Sequence, residues 1–228
     1  MVQEYIYKDL INSFIFINMQ KNKQNSPFIG LAGNIGVGKT TFTKLMCDRL
    51  SFEPFYESVQ NNPYLDDFYT NMRRWGFNLQ IYFLYTRFKA QIKMDSMSKG
   101  IMRDRTIYED KEIFAWNLYK IGKMSKRDWR SYCGLFSIMV AQLRKPDLII
   151  YLKANTDTLL KRIKTRGREY EKSIDLEYLH TLNLTYERWI NSLNDIPILI
   201  VDTNDFNVFN DLSRFYAIEQ DILRRLNE

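Results

Sequence analysis

Gly33-Asn34-Ile35-Gly36-Val37-Gly38-Lys39-Thr40-Thr41 is the stretch that decides how the rest of the chain is read. Gly33, Gly38, Lys39 and Thr40 stand at the spacing G-x-x-x-x-G-K-[ST] of a phosphate-binding loop. An apolar run, Phe28 to Ala32, precedes the loop, and a helical pattern, Phe42 to Leu50, follows it. That order supplies the chemistry. Glycines let successive backbone N–H groups turn around an anion, and the helix behind points its positive end at the same spot. Lys39 adds a point charge for the outer phosphates, and the Thr40 hydroxyl can hold Mg²⁺. An ordinary glycine-rich turn would explain the glycines but not Lys39 and Thr40.

Outward from the loop the pattern alternates. The sequence predicts strands at Phe28 to Ala32, Pro54 to Glu57, Gly100 to Arg103, Asp147 to Lys153 and Ile198 to Asp202. Between them it predicts a short helix after Pro63, a long one from Met72 to Met97, two from Tyr108 to Ile121 and Lys126 to Leu143, and two more from Thr156 to Arg166 and Leu176 to Leu193. A last helix follows Asn210. Strands alternating with helices imply an α/β fold: a five-stranded parallel sheet with helices on both faces. No repeat or linker divides residues 27–228, which read as one domain; residues 1–26 read as an N-terminal extension, expected to be poorly ordered.

Composition narrows the function. At 228 residues, 45% of them hydrophobic, the chain can bury a substantial core. Its net charge of +6 suits anionic ligands, nucleotides as well as nucleic acid. A single histidine, His180, leaves no basis for a His-built metal site or a Ser-His-Asp triad. Cys47 and Cys133 form no disulfide or metal pattern and fit a reducing compartment, so a cytoplasmic location is expected. No apolar run reaches 18 residues, and no membrane association is expected.

In parallel sheets, ligands sit at the carboxyl ends of the strands. There the sequence puts the glycine loop, then Glu57, then Asp104 and Arg105. A carboxylate near a phosphate loop can take a proton from an attacking hydroxyl, and a second can share a Mg²⁺ shell. Lys161, Arg162, Lys164, Arg166 and Arg168 form a basic segment. A solvated helix face is the plain reading; an arginine-rich lid over transferring phosphates is the one favoured here. A nucleic-acid patch would call for interleaved aromatics, and none occurs before Tyr170.

The chain resembles the deoxynucleoside kinase family, in particular its bacterial deoxyadenosine and deoxyguanosine kinase branch. The resemblance runs from Phe28 to about Phe206. It rests on GNIGVGKTT, YESVQNNPYLDDFY from Tyr56, RWGFNLQIYFLYTRFKAQ from Arg74, DRTIYEDKEIFA from Asp104, KPDLIIYLKA from Lys145 and RGREYEKSIDLEYL from Arg166. It implies a P-loop kinase fold and transfer of phosphate from ATP, with Mg²⁺, to the 5′-hydroxyl of a deoxynucleoside in nucleotide salvage. Deoxyadenosine is the expected acceptor, with deoxyguanosine and deoxycytidine next.

The resemblance also implies roles. Glu57 matches the general base, Arg105 the arginine beside the hydroxyl and phosphates, and Asp104 the acid that helps place Mg²⁺. Tyr69 and Glu171 match the pair that holds the sugar 3′-hydroxyl. Gln80 matches the amide on the base edge, Phe114 the ring that stacks on the base, and Arg87 with Asp110 a charged pair beside it. Arg162, Arg166 and Arg168 match lid arginines, and Asp205 and Phe206 fall at the donor-base loop. Gln80 and Arg87 are seven apart, which puts them on one helical face two turns from each other. A homodimer is implied as well, pairing through the long helix near Leu79 to Ala90 and the helix near Asp110 to Leu118.

Two other readings share the loop. A thymidylate-type nucleoside monophosphate kinase has a phosphorylated acceptor, which Glu57 would repel. An inactive kinase-like scaffold would be expected to lose Lys39, Glu57 or the lid arginines, and all are present. No Asn-Lys-x-Asp guanine motif supports a GTPase.

Overall fold

β1 (Phe28–Ala32), buried along its whole length, is the central strand of a five-stranded parallel sheet. The computed structural model describes residues 26–56, 62–168, 171, 174 and 176–227. The N-terminal extension up to residue 25 and the expected general base Glu57 lie outside the described residues.

The other strands are β2 (Glu53–Phe55), β3 (Ile101–Asp104), β4 (Leu148–Lys153) and β5 (Ile198–Asp202), in the order β2-β3-β1-β4-β5. β3 ends with Asp104 beside Leu31, and β4 sets Tyr151 beside Ala32. The carboxyl ends of β1 and β3 thus open side by side. β2 is shorter than the sequence predicts and stops before Glu57.

The helices are α1 (Lys39–Leu50), α2 (Leu65–Thr70), α3 (Met72–Met94), α5 (Lys126–Val140), α6 (Thr156–Arg166), α7 (Leu176–Ser192) and α8 (Leu212–Leu226). The helix between α3 and α5, called α4, starts as Ile107–Glu109, widens to a π turn over Asp110–Ala115 and closes as Trp116–Lys120. Side-chain caps set several starts: Asn71 before α3, Ser125 before α5, Asn155 before α6 and Asp211 before α8.

Alternation along the strands divides the core into two layers. Leu148, Ile150 and Leu152 face Phe42 and Met46 of α1 and Phe215 and Ile222 of α8. Ile149 and Tyr151 face α7, through Leu182, Tyr186 and Trp189. A third cluster, remote from the sheet, packs α2 to α5 around Leu84, Leu118 and Tyr132. The long α3 is apolar on several sides because α2, α4 and α5 all pack against it. Gly30 interrupts the bulky run of β1 for a local reason: a Cβ there would lie 2.6 Å from Thr106 Cγ2, on the turn after β3.

Candidate active site

A cleft of about 1040 Å³ opens over the carboxyl ends of β1 and β3. The glycine loop forms one end. α2, α3 and α4 wall the other, and Arg162, Arg166, Arg168 and Glu171 lie along its rim.

At the loop end the backbone takes the conformations glycine permits. Gly36 has φ +82° and Gly38 φ +103°, both in the left-handed region. Gly33, Asn34 and Val37 are buried behind the loop rather than on the cleft wall, whereas Ile35, Gly36, Gly38, Lys39, Thr40 and Thr41 line it. Lys39 Nζ donates to the carbonyls of Gly33 and Asn34 at 2.8 and 3.0 Å. Asn34 is tied to α7, donating through Nδ2 to Leu179 O at 3.0 Å and Asn183 Oδ1 at 2.7 Å. Arg162 Nη1 donates to Val37 O at 3.2 Å and Thr203 Oγ1 at 3.1 Å, which fixes α6 against the loop.

Thr40 Oγ1 donates to Asp104 Oδ2 at 2.7 Å. The other carboxylate oxygen, Asp104 Oδ1, is buried without a hydrogen-bond partner. A buried oxygen with unmet acceptor capacity beside a second hard oxygen fits Mg²⁺. Among the described residues no cluster of three or more His, Cys, Asp or Glu could cage a metal.

The turn after β3 organises the middle of the cleft. Arg105 has φ +69°, a left-handed conformation that costs a non-glycine residue about 1–2 kcal/mol. Its N–H donates to Leu31 O at 3.0 Å, and its guanidinium lies 4.3 Å from the centre of the Phe114 ring. Thr106 then caps α4 in a reciprocal box with Glu109, whose carboxylate accepts the Thr106 N–H at 2.8 Å. Glu109 is fully buried and also accepts from Tyr186 Oη at 2.8 Å and, at longer range, from Gly33 N at 3.4 Å. Burial raises its carboxyl above the ordinary range. Arg105, Lys39, the Thr106 N–H and the Tyr186 hydroxyl oppose that rise.

At the far end Gln80 and Arg87 project from one face of α3, both buried and both on the cleft wall. Arg87 Nε pairs with Asp110 Oδ2 at 2.5 Å, and Gln80 Oε1 has no hydrogen-bond partner. Phe114, four residues beyond Asp110 on α4, and Phe83 add flat apolar surface, and Tyr69 and Leu79 complete this end. On the rim Arg166 holds Glu171 with two bonds, Nε to Oε2 at 3.0 Å and Nη2 to Oε1 at 2.6 Å, and Arg168 approaches it at 3.6 Å.

The structure therefore brings nearly all the described expected site residues to one cleft. Asp205 and Phe206 stand apart. Asp205 is exposed, and Phe206 is buried in the sheet core with Arg214 over its ring at 5.0 Å. Among the cleft-side residues that escaped the sequence reading are the wall residues Tyr56, Leu65, Phe68, Leu79, Phe83 and Tyr178, together with Glu109 and with Arg103 beneath the Arg105 turn. For Glu109 the pattern Thr-x-x-Glu was a visible cap signal, but its ties to Gly33 and Tyr186 were not.

A parallel sheet headed by this loop, with a walled cleft over its strand ends, defines a P-loop kinase fold. The chain belongs to the deoxynucleoside kinase family, whose family model, described as "Deoxynucleoside kinase", matches residues 29–228. It is 42% identical over 185 residues to a deoxyadenosine/deoxycytidine kinase of Bacillus subtilis, covering 80% of this chain and 85% of that protein. It is 36% identical over 220 residues to a deoxyadenosine kinase of Dictyostelium discoideum, covering 96% of this chain and 89% of that one. Among solved structures, the deoxyadenosine kinase of M. mycoides with bound dATP superposes with a TM-score of 0.75 at 31% identity, covering 89% of this chain and all of that one. Among the described residues no helix is long and apolar enough to cross a membrane.

Proposed function

We propose that the enzyme phosphorylates the 5′-hydroxyl of a purine deoxynucleoside or deoxycytidine, with ATP and Mg²⁺, in nucleotide salvage. Deoxyadenosine is the preferred acceptor. The observation that carries this reading is the pairing of two ends in one cleft. The phosphate loop with Thr40 and Asp104 lies at one end, and the buried Gln80 with the Arg87–Asp110 pair at the other. Relatives named for deoxyadenosine and deoxycytidine support the choice of acceptor.

In this reading Gln80 and the fork of Arg87, held by Asp110, read the base edge, and Phe114 stacks on the base. Tyr69 and Glu171 take the sugar 3′-hydroxyl. Glu57 removes the 5′-hydroxyl proton; Tyr56, the last described residue before it, lines the cleft. The hydroxyl oxygen forms a bond to the outer phosphorus of the donor, the bridging P–O bond breaks, and the leaving diphosphate keeps the electron pair. Lys39, the loop N–H groups and Arg105 hold the phosphates in line, and Arg162, Arg166 and Arg168 shield them as a lid. Thr40 and Asp104 would hold Mg²⁺, which would neutralise charge on the phosphate oxygens. The exposed apolar side chains Tyr85 on α3 and Leu135 and Ile138 on α5 support a homodimer formed through these helices. α4, expected to share that interface, is instead largely buried within the fold.

The experiment is an initial-rate panel with ATP and Mg²⁺ over deoxyadenosine, deoxyguanosine, deoxycytidine, thymidine and dTMP. Turnover of the first three, with deoxyadenosine highest in kcat/KM, is expected. Turnover of dTMP alone would overturn the reading in favour of a monophosphate kinase, and inactivity on every acceptor would overturn it in favour of a scaffold.

A further inference from the structure

Two buried guanidiniums meet on one carbonyl. The oxygen of Arg105 accepts from Arg103 Nε at 3.1 Å and from Arg87 Nη1 at 3.4 Å. Arg105 is the residue with φ +69°, and both donors are about 95% buried. A carbonyl in the left-handed region persists only where its surroundings over-determine it. Here the N–H of the same residue is fixed to Leu31 O and its oxygen takes a donor from each of two guanidiniums.

Arg103 is costly as a packing residue. It sits on β3 in a region where an apolar side chain would fill the space without losing hydration. Its Nη1 reaches Met94 Sδ at 3.0 Å, and its charge acts on Asp95 at the end of α3. Holding the Arg105 oxygen is something no apolar side chain could do.

We propose that Arg103 is a positioning residue for phosphoryl transfer. With Arg87 it pins the Arg105 carbonyl, and so aims the Arg105 guanidinium across Phe114 into the cleft. The inference rests on the role given above to Arg105. It carries a corollary for specificity. Arg87 is shared, its Nε on Asp110 at the base end and its Nη1 on the Arg105 carbonyl. A base that seats badly against Arg87 loosens the pin, so acceptor identity enters turnover as well as affinity.

The test is a kinetic cycle on the full-length enzyme with deoxyadenosine, ATP and Mg²⁺, with thermal midpoints recorded for each variant. Arg103→Met removes the donors and keeps an unbranched stem. It is expected to lower kcat about 10-fold or more, as small misplacements of a positioned group do, with KM for deoxyadenosine within about 3-fold. Met94→Leu removes the Arg103 Nη1–Sδ contact and is expected to leave kcat unchanged. In an Arg105→Ala background, Arg103→Met is expected to cost less than about 2-fold, since the group it aims is gone. Arg103→Gln runs through the same cycle, so that misfolding of one variant leaves the other to decide. A kcat within about 2-fold of the parent in the folded variant, a loss confined to KM, or a full loss persisting in the Arg105→Ala background would each overturn the proposal. Failure of the parent itself to phosphorylate any deoxynucleoside would overturn the proposed function instead.

Discussion

The Thr40 hydroxyl donates to Asp104 Oδ2 at 2.7 Å, joining the first turn of α1 to the last residue of β3 across 64 positions of sequence. The bond orients the carboxylate so that its second oxygen, Oδ1, stays buried and unbonded. Two oxygens are thereby held ready for a hard cation before any phosphate arrives. Asp104→Asn keeps the shape and removes the charge. The Mg²⁺ concentration for half-maximal rate is expected to rise about 10- to 100-fold, in line with losses at metal-supporting positions. A Mg²⁺ titration checks this, and an unchanged midpoint would remove Asp104 from the metal shell.

Gln80 lies buried on the cleft wall with its carbonyl oxygen unbonded. Gln80→Leu is expected to lower kcat/KM for deoxyadenosine about 10- to 100-fold while KM for ATP stays put, since in the role proposed for it Gln80 bonds the acceptor base and not the donor. Arg87→Ala differs, because it also strands the buried Asp110 and should cost about 3–5 kcal/mol in stability. Chemical denaturation beside the kinetics separates the two: equal stability losses in both variants would contradict this picture.

Glu57→Gln should retain deoxynucleoside binding and lose about 10²- to 10⁴-fold in turnover, the range that a positioned proton acceptor supplies. Equilibrium dialysis with deoxyadenosine and single-turnover kinetics report the two halves. Full turnover in the variant would rule out the general-base role.

Burial pushes Asp95, at the end of α3, up to about 6 by disfavouring its charged form, an effect that Arg144 and Arg103 only partly offset. The folded chain therefore binds this proton more tightly than the unfolded chain, whose carboxyl titrates near 3.9. Stability from this group is fullest below about pH 3.9, declines as pH rises through 6 and stays reduced above it. Asp95→Asn should add about 1–2 kcal/mol at pH 7.5 and close to nothing at pH 4. Urea unfolding at both pH values is the check, and a gain of equal size at both would show that charge burial is not the cause.

The sequence made the frame legible because its signals are local. Loop spacing, apolar runs of strand length and cap residues name their own elements, and Gln80 and Arg87 share a face because both stand on a helix. What stayed hidden depends on partners far along the chain. Glu109 reads as a cap to Thr106, yet Tyr186, 77 residues on, makes it a brace between two layers. Arg103 reads as one strand residue among four, because a left-handed φ at a non-glycine position leaves no mark in composition. Phe206 carries the opposite lesson. The resemblance puts it at a donor-base loop, but the chain folds it back into the sheet core, where burial of a large ring is worth more than exposure at a rim.

From Asp104 to Asp110 the chain devotes one short turn to several contacts, with Asp104 beside the loop threonine, Arg105 over Phe114, Glu109 behind the loop and Asp110 on Arg87. A substitution that resizes the base compartment from this side also moves the phosphate apparatus. The opposite wall, α3, carries Gln80 without any such attachment. Drift toward a new nucleoside is therefore freer at Gln80 than along α4 or at Arg87, whose guanidinium reaches both Asp110 and the Arg105 carbonyl, and an engineer seeking another acceptor would begin at Gln80 and leave the turn alone.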